Sequence, residues 1–379
     1  MVGVPESRVH HLDYLRAAIV FAIVPYHAAR VFDRSADYYF QASLLPSSDL
    51  PFYFTRTLDM FVMPVLFVIA GIAVWHASAR VTKGGFWKSR FKRLLVPLVF
   101  GTLVLCPPAG WVAFGQDVDF LTYLPTFFTI GNLSGMDGKF TPGHLWFLLY
   151  LFLFSLPAYG LAISLRKRSG TLSRLTTRED LIWLACVVLL FTAAHGIGLP
   201  YPSPVYFLAY VLLGVLIAGQ PALDESLYRT ALPAAVVLPF SIVWELSVWS
   251  QGSDSISPLL FNCLRGVNGV LSTLLILTLS RHVWRNAGPV PSWLGPAAMF
   301  TYISHQTIVV LAGAGLQRLE LSATFWWAGI VGLTFLCLLL GWSMLRLFPR
   351  LAVLWGIRPQ DISPRDVSEG AFVTKSPNR

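Results

Sequence analysis

The stretch Leu12–Phe32, LDYLRAAIVFAIVPYHAARVF, decides the fold. It is long and apolar enough to cross a bilayer, which takes about 20 residues at 1.5 Å each. Inside the apolar run it carries Arg16 and His27, eleven residues apart. Eleven steps of about 100° overshoot three turns by roughly 20°, so both side chains leave one face of a helix. The rise between them is about 16 Å. A guanidinium near one membrane surface and an imidazole well below it suggest a site with an anchoring end and a reacting end. Polar groups at such depth face a protein interior or a wet cavity. A second reading stays open: Arg16 snorkels to the headgroups and His27 is a polar packing residue.

Composition extends this reading to the whole chain. The 379 residues are 55% hydrophobic and only 12% charged, with a mean hydropathy of +0.63. Soluble domains carry about 25% charged residues. Apolar runs of about 20 residues recur from end to end, favouring helices over a barrel. Approximate spans are 12–32, 52–79, 94–115, 143–165, 181–198, 203–219, 231–249, 258–280, 293–314 and 324–348. The expected fold class is all-α, a polytopic membrane helical bundle of about ten transmembrane helices. Residues 1–350 read as the membrane domain and 351–379 as a disordered cytoplasmic tail. No internal repeat is visible, which weighs against an inverted-repeat transporter.

The net charge of +9 is topological rather than a nucleic-acid footprint. Arg80, Lys83, Lys88, Arg90, Lys92 and Arg93 share one connection, Arg166, Lys167, Arg168, Arg174 and Arg178 another, and Arg281 and Arg285 a third. The intervening loops carry Asp33, Asp37 and Asp49, then Asp117, Asp119 and Asp137, then Asp254. By the positive-inside rule the orientation is N-in/C-in. Arg16 then lies near the cytosol and His27 nearer the outer face. The four cysteines fall in apolar runs without paired spacing, so neither a disulfide framework nor a metal site is expected.

Several other residues carry candidate chemistry. Phe86–Pro97, FWKSRFKRLLVP, places Phe86, Trp87, Phe91, Leu94 and Leu95 on one face and its basic residues largely on the other. That is an interfacial basic helix, either a topological anchor or a surface for a polyanion, since arginine presents a fork suited to phosphate. Arg56 and Asp59 stand at i, i+3 and can pair. Gly71 ends VLFVIAG and permits close helix approach. His144 and Trp146 follow the helix start Thr141-Pro142-Gly143, where Trp146 reads as an interfacial anchor and His144 as a contact for a polar substrate. Asn262, Arg265, Gly269 and Ser272 give one polar face, with Glu245 a conceivable partner for Arg265. Tyr302, His305 and Gln306 lie near the middle of span nine. Two mid-membrane histidines, His27 and His305, make a shared polar cavity credible.

Taken together these residues resemble the integral membrane acyltransferase 3 family. The resemblance rests on the Arg-x10-His pattern of Arg16 and His27, and on PVLFVIAG, similar to the family's FFxxSG motif with Ala70 in place of Ser. RFKRLLVP (Arg90–Pro97), HLWFL (His144–Leu148) and YISHQTIVV (Tyr302–Val310) complete it. DYLR (Asp13–Arg16) and the last two segments look most like the branch that modifies periplasmic glucans, whose described activity is succinyl transfer. The resemblance implies transfer of an acetyl or succinyl group from cytosolic acyl-CoA, without a metal, to a hydroxyl of an extracytoplasmic glycan. The implied place is the bacterial inner (plasma) membrane, and the implied catalytic histidine is His27. The partners are then the lipid bilayer and the glycan acceptor, with no nucleic acid and with a homodimer left open.

On this reading Arg16, Arg90 and Arg93 hold the CoA phosphates by charge-assisted bonds. His27 acts as a general base or as a covalent acyl carrier. His305, Asp59 or Arg265 stabilises the oxyanion or orients the acceptor. Were the acyl group succinyl, Arg30 or Arg265 could hold its free carboxylate. His144, Trp146 and Arg265 are the substrate-binding candidates. The competing class is a transporter or flippase for a polar lipid or glycan intermediate, which leaves the alignment of Arg16 with His27 unexplained.

Overall fold

The computed structural model describes residues 10–42, 49–168, 203–251 and 257–362, together with 178–179, 183, 186–187 and 190–192. The expected span 181–198 and the tail beyond residue 362 fall largely or wholly outside the described residues. The helices are α1 (His10–Arg30), α2 (Leu50–Asp59), α3 (Val62–Arg80), α4 (Lys83–Phe114) and α5 (Phe120–Phe127). They continue with α6 (Trp146–Lys167), α7 (Pro204–Gly219), α8 (Pro221–Gln251), α9 (Pro258–Val283), α10 (Leu294–Leu316) and α11 (Ala323–Leu347).

Among the described residues, seven helical stretches are long and apolar enough to cross a membrane, with α2 and α3 forming one of them. The 21-residue α1 and the shorter 16-residue α7 join them in one helical membrane bundle. Local chemistry sets several starts. Ser203 and Ser257 each precede a proline and accept a hydrogen bond from the amide three residues on. This pairing of an N-cap hydroxyl with a proline in the first turn matches the orphan amides of a helix start.

Packing of α3 on α7 depends on two glycines. A Cβ on Gly71 would lie 2.0 Å from the Val211 carbonyl oxygen, and one on Gly214 would lie 2.1 Å from that of Val68. The close approach expected at Gly71 is therefore present, and it is reciprocal. Helix α1 lies between two cores. Leu12, Leu15, Ile19 and Ile23 join one apolar cluster, while Val24, Ala28 and Val31 join another. Pro25 lacks an amide proton one turn before the helix ends, and its own carbonyl accepts from Trp327 Nε1 at 3.2 Å.

Two expectations need correction. Phe91 does not share one face with Phe86 and Leu94; it is 54% exposed, while they are buried. Residues Phe91–Leu95 form an i→i+5 turn, which rotates the register away from the 3.6-residue period. The stretch 351–362, read as the start of a disordered tail, is packed. Pro349–Trp355 is a 3₁₀ turn, Ala352 and Ile357 are buried, and Trp355 Nε1 donates to Ser304 Oγ at 2.9 Å. Gly356 permits this return at φ +67°, where a Cβ would sit 2.6 Å from the Arg93 carbonyl oxygen.

Candidate active site

The C-terminal end of α1 brings His27 against α10. Its ring centroid lies 5.0 Å from that of His305, and His305 in turn lies 4.8 Å from His144. Three imidazoles therefore form a row, contributed by α1, α10 and the turn before α6. That turn opens on Gly143 at φ +52°, in the left-handed region that favours glycine.

The backbone fixes two of the three rings. Nδ1 of His305 is 2.8 Å from the Tyr302 carbonyl oxygen and 3.1 Å from that of Thr301. A carbonyl only accepts, so Nδ1 carries the proton and Nε2 carries the lone pair. Nε2 of His144 lies 2.9 Å from the same Tyr302 oxygen, so here Nε2 is the protonated nitrogen. The Tyr302 hydroxyl closes the loop by donating to the His144 carbonyl at 2.6 Å. Nε2 of His305 is buried and has no hydrogen-bond partner among the described residues. A bare buried acceptor next to a second imidazole is a place for a donor.

His27 is held differently. It is half-buried, and the Tyr38 hydroxyl lies 3.4 Å from its Nδ1. Burial pushes the Tyr38 phenol well above its ordinary value against the opposing Arg30 charge, so it stays protonated. Tyr26 packs edge-on to His27 at 4.8 Å and donates to Asp59 Oδ1 at 2.6 Å.

An ionic lattice surrounds this end. Arg56 pairs with Asp59 at 3.3 Å, as the i, i+3 spacing predicts, and reaches Asp33 at 3.7 Å. Arg30 binds Asp33 at 2.7 Å, and Thr55 donates to the same carboxylate at 2.8 Å. Burial of Asp33 opposes ionisation, but hydrogen bonds from Ser35 and Thr55 and the Arg30 charge prevail and hold it below the usual carboxylate range. Arg265 lies 3.8 Å from Glu245, the partner expected for it, and over the rings of Trp249 and Phe261. Three arginines thus meet three carboxylates.

At the opposite end of α1, Arg16 pairs with Asp13 at 3.1 Å. A Cβ on Gly295 would stand 3.6 Å from its guanidinium. Arg16 therefore faces the start of α10, while His27 faces His305 ten residues further along it. The two helices run in the same direction with both α1 side chains turned to one neighbour. Arg93 shares this end with Arg16, Arg358 and Asp361. Arg90 instead lies over the Phe86 ring at 5.0 Å.

The nine sequence candidates therefore divide. His27, His144 and His305 converge, and Asp59 joins them through Tyr26. His144 lies inside the bundle rather than at its rim. Trp146 packs in an aromatic layer with Phe67, Tyr150 and Phe207. Arg265 belongs to the ionic lattice around Asp59. Tyr26, Tyr38 and Tyr302 were not singled out as parts of the His27 site. Tyr26 adjoins His27 in sequence, and Arg30 and Asp33 repeat the i, i+3 spacing of Arg56 and Asp59, so those signals were present. Nothing in the sequence folds the Tyr38 loop back over His27.

Residues 9–346 match the acyltransferase 3 family, described as an acyltransferase domain. Proteins named Glucans biosynthesis protein C from Salmonella paratyphi B, Salmonella enteritidis PT4 and Salmonella typhi are each 21% identical over 340 residues. Each alignment covers 83% of this chain and 85% of the relative. No solved structure matches the chain. The resemblance drawn from the motifs thus holds over most of the chain: it belongs to the acyltransferase 3 family, and it is a membrane acyltransferase.

Proposed function

We propose that the protein moves an acyl group, acetyl or succinyl, from cytosolic acyl-CoA to a hydroxyl of an extracytoplasmic glycan at the bacterial inner membrane. The relatives' printed name supports a glucan acceptor. The basic connections support an N-in/C-in orientation, with Arg16 inside and His27 towards the outside.

In this reading Arg16 and Arg93 hold the CoA phosphates, with Arg90 on the adjoining turn of α4. The thioester reaches the His27 end. His27 takes the proton of the attacking sugar hydroxyl as its oxygen bonds to the thioester carbonyl carbon. Collapse of the tetrahedral intermediate breaks the carbon–sulfur bond, and the imidazolium returns the proton to the leaving thiolate. The Tyr38 hydroxyl orients His27. His305 accepts a hydrogen bond through Nε2 from His27 and does not donate to the oxyanion, because its proton is committed to the Tyr302 carbonyl. His144 positions that carbonyl, and Asp59 acts on His27 through Tyr26. For a succinyl donor, Arg265, 3.8 Å from Glu245, is less tightly held than Arg30, which binds Asp33 at 2.7 Å, and is the better placed of the two carboxylate ligands considered.

One observation carries this reading: the unpartnered Nε2 of buried His305 beside the half-buried ring of His27. The test is protein reconstituted in vesicles with acetyl-CoA or succinyl-CoA and a glucan on the His27 side. The expected result is CoA thiol release matched by a glucan mass gain of one acyl group. Thiol release that never depends on glucan would overturn the acceptor assignment.

A further inference from the structure

A cleft of 220 Å³ opens at the other end of the bundle, between α1, α3, α7, α8 and α9. Its wall on α1 is His11 and Leu12. His11 precedes Arg16 and His27 by five and sixteen residues, which places it about 140° and 160° round the helix from them. The cleft therefore lies behind α1, away from the Arg16–His27 line, and the reaction proposed above does not use it.

The lining is graded along the helix axes. His11 is in the first turn of α1, Asp224 in the first turn of α8, His76 near the end of α3 and Arg281 near the end of α9. Apolar residues lie deeper: Ile72 is about 6 Å below His76, and Leu274 about 10 Å below Arg281. Arg281 and Asp224 are bonded to each other across the mouth. Tyr228 on the rim is 54% exposed, and it begins a stripe of exposed apolar residues at four-residue spacing, Leu232, Val236 and Phe240, along α8. A face that apolar and that exposed is turned to acyl chains, and it leads directly into the cleft.

We propose that this cleft binds one zwitterionic phospholipid of the ethanolamine class. Its phosphate engages Arg281 with His11 and His76, and its ammonium engages Asp224. One acyl chain enters the apolar floor and the other follows the stripe on α8. The charge pattern selects the headgroup. Arg281 and Asp224 leave the mouth balanced, so a zwitterion adds one attraction to each, whereas a net-negative headgroup brings uncompensated charge beside Asp224.

The full chain, purified in mild detergent and offered phosphatidylethanolamine and phosphatidylglycerol at equal concentration, should retain one phosphatidylethanolamine per protein by native mass spectrometry. A preference of about tenfold is expected, the scale of one charge-assisted bond. Asp224→Asn should abolish the headgroup preference, and Ile217→Trp, which fills the cleft from its α7 wall, should abolish retention. Should Ile217→Trp fail to fold, Asp224→Asn decides alone. Equal retention of the two lipids, a preference unchanged in Asp224→Asn, or displacement of the lipid by acyl-CoA would overturn the proposal. The readout is bound lipid, so it stands or falls independently of acyl transfer.

Discussion

His27 and His305 come from opposite ends of the chain and meet with ring centroids 5.0 Å apart, one half-buried and the other enclosed. The contact gives the two rings different work. His305 is oriented by the backbone of its own helix and presents a lone pair, while His27 keeps contact with the Tyr38 hydroxyl and remains partly open.

Removing the imidazole at His27 tests the assignment most directly. His27→Ala should lower acyl transfer by about 10²–10⁴-fold, the usual worth of a general base. Thermal stability in detergent should change little. Near-normal turnover in that variant would remove His27 from the mechanism.

His305→Phe keeps a planar ring and deletes the lone pair. Loss of one hydrogen bond to a group that becomes charged is worth about 1.5–3 kcal/mol, so kcat should fall by about tenfold or more. The KM for acyl-CoA should hold, since the CoA phosphates are assigned to the far end of α1. Combining it with His27→Ala should cost little beyond His27→Ala alone, because the two act as a unit. Additive losses in the cycle would separate them.

Arg16→Ala and Arg93→Ala should act on the other parameter. Each removes one charge-assisted phosphate contact, so each should raise the KM for acyl-CoA by about tenfold with kcat nearly kept. A kcat defect at saturating donor would place these residues closer to the chemistry.

Much of this was legible because the 3.6-residue period is local. The spacing of Arg16 and His27 put them on one face, and Arg56–Asp59 and Arg265–Glu245 both pair. What was not legible is the rotation of helices about one another. In α3, α6 and α10 almost every face is apolar, so no stripe says which side turns inward. Hence the burial of His144 had no signal in the pattern. The i→i+5 turns of α4 broke the period that placed Phe91. The Tyr38 loop depends on the Ala42 amide donating to the Val31 carbonyl at 2.8 Å, a long-range closure that periodicity cannot register.

The Gly71–Gly214 crossing gives a stability prediction with no catalytic component. Gly71→Val drives a side chain into the Val211 carbonyl, where even a first carbon would stand 2.0 Å from oxygen. Backbone has to move, and overpacking of this kind costs about 1–3 kcal/mol or more. A lower melting temperature in detergent is expected, and enlarging Gly214 as well should worsen it. An unchanged melting temperature would mean the two helices are further apart than described.

Asp33 supplies the pH dependence. Its folded-state pKa is lowered, so its stabilisation is complete above the ordinary carboxylate value and is lost as pH falls through the folded value. Asp33→Asn keeps the shape but surrenders the charge that Arg30 and Arg56 face. At neutral pH the variant should melt below the parent, and the gap should close as the buffer is taken below about pH 4, where the unfolded parent's carboxylate begins to protonate, and on through the lower folded value. Two melting series, one for each protein across that range, check this. A gap that stays constant with pH would mean the Asp33 carboxylate gains nothing from its partners in the folded protein, and that Arg30 is held at the His27 end by the Ala36 and Asp37 carbonyls it also donates to.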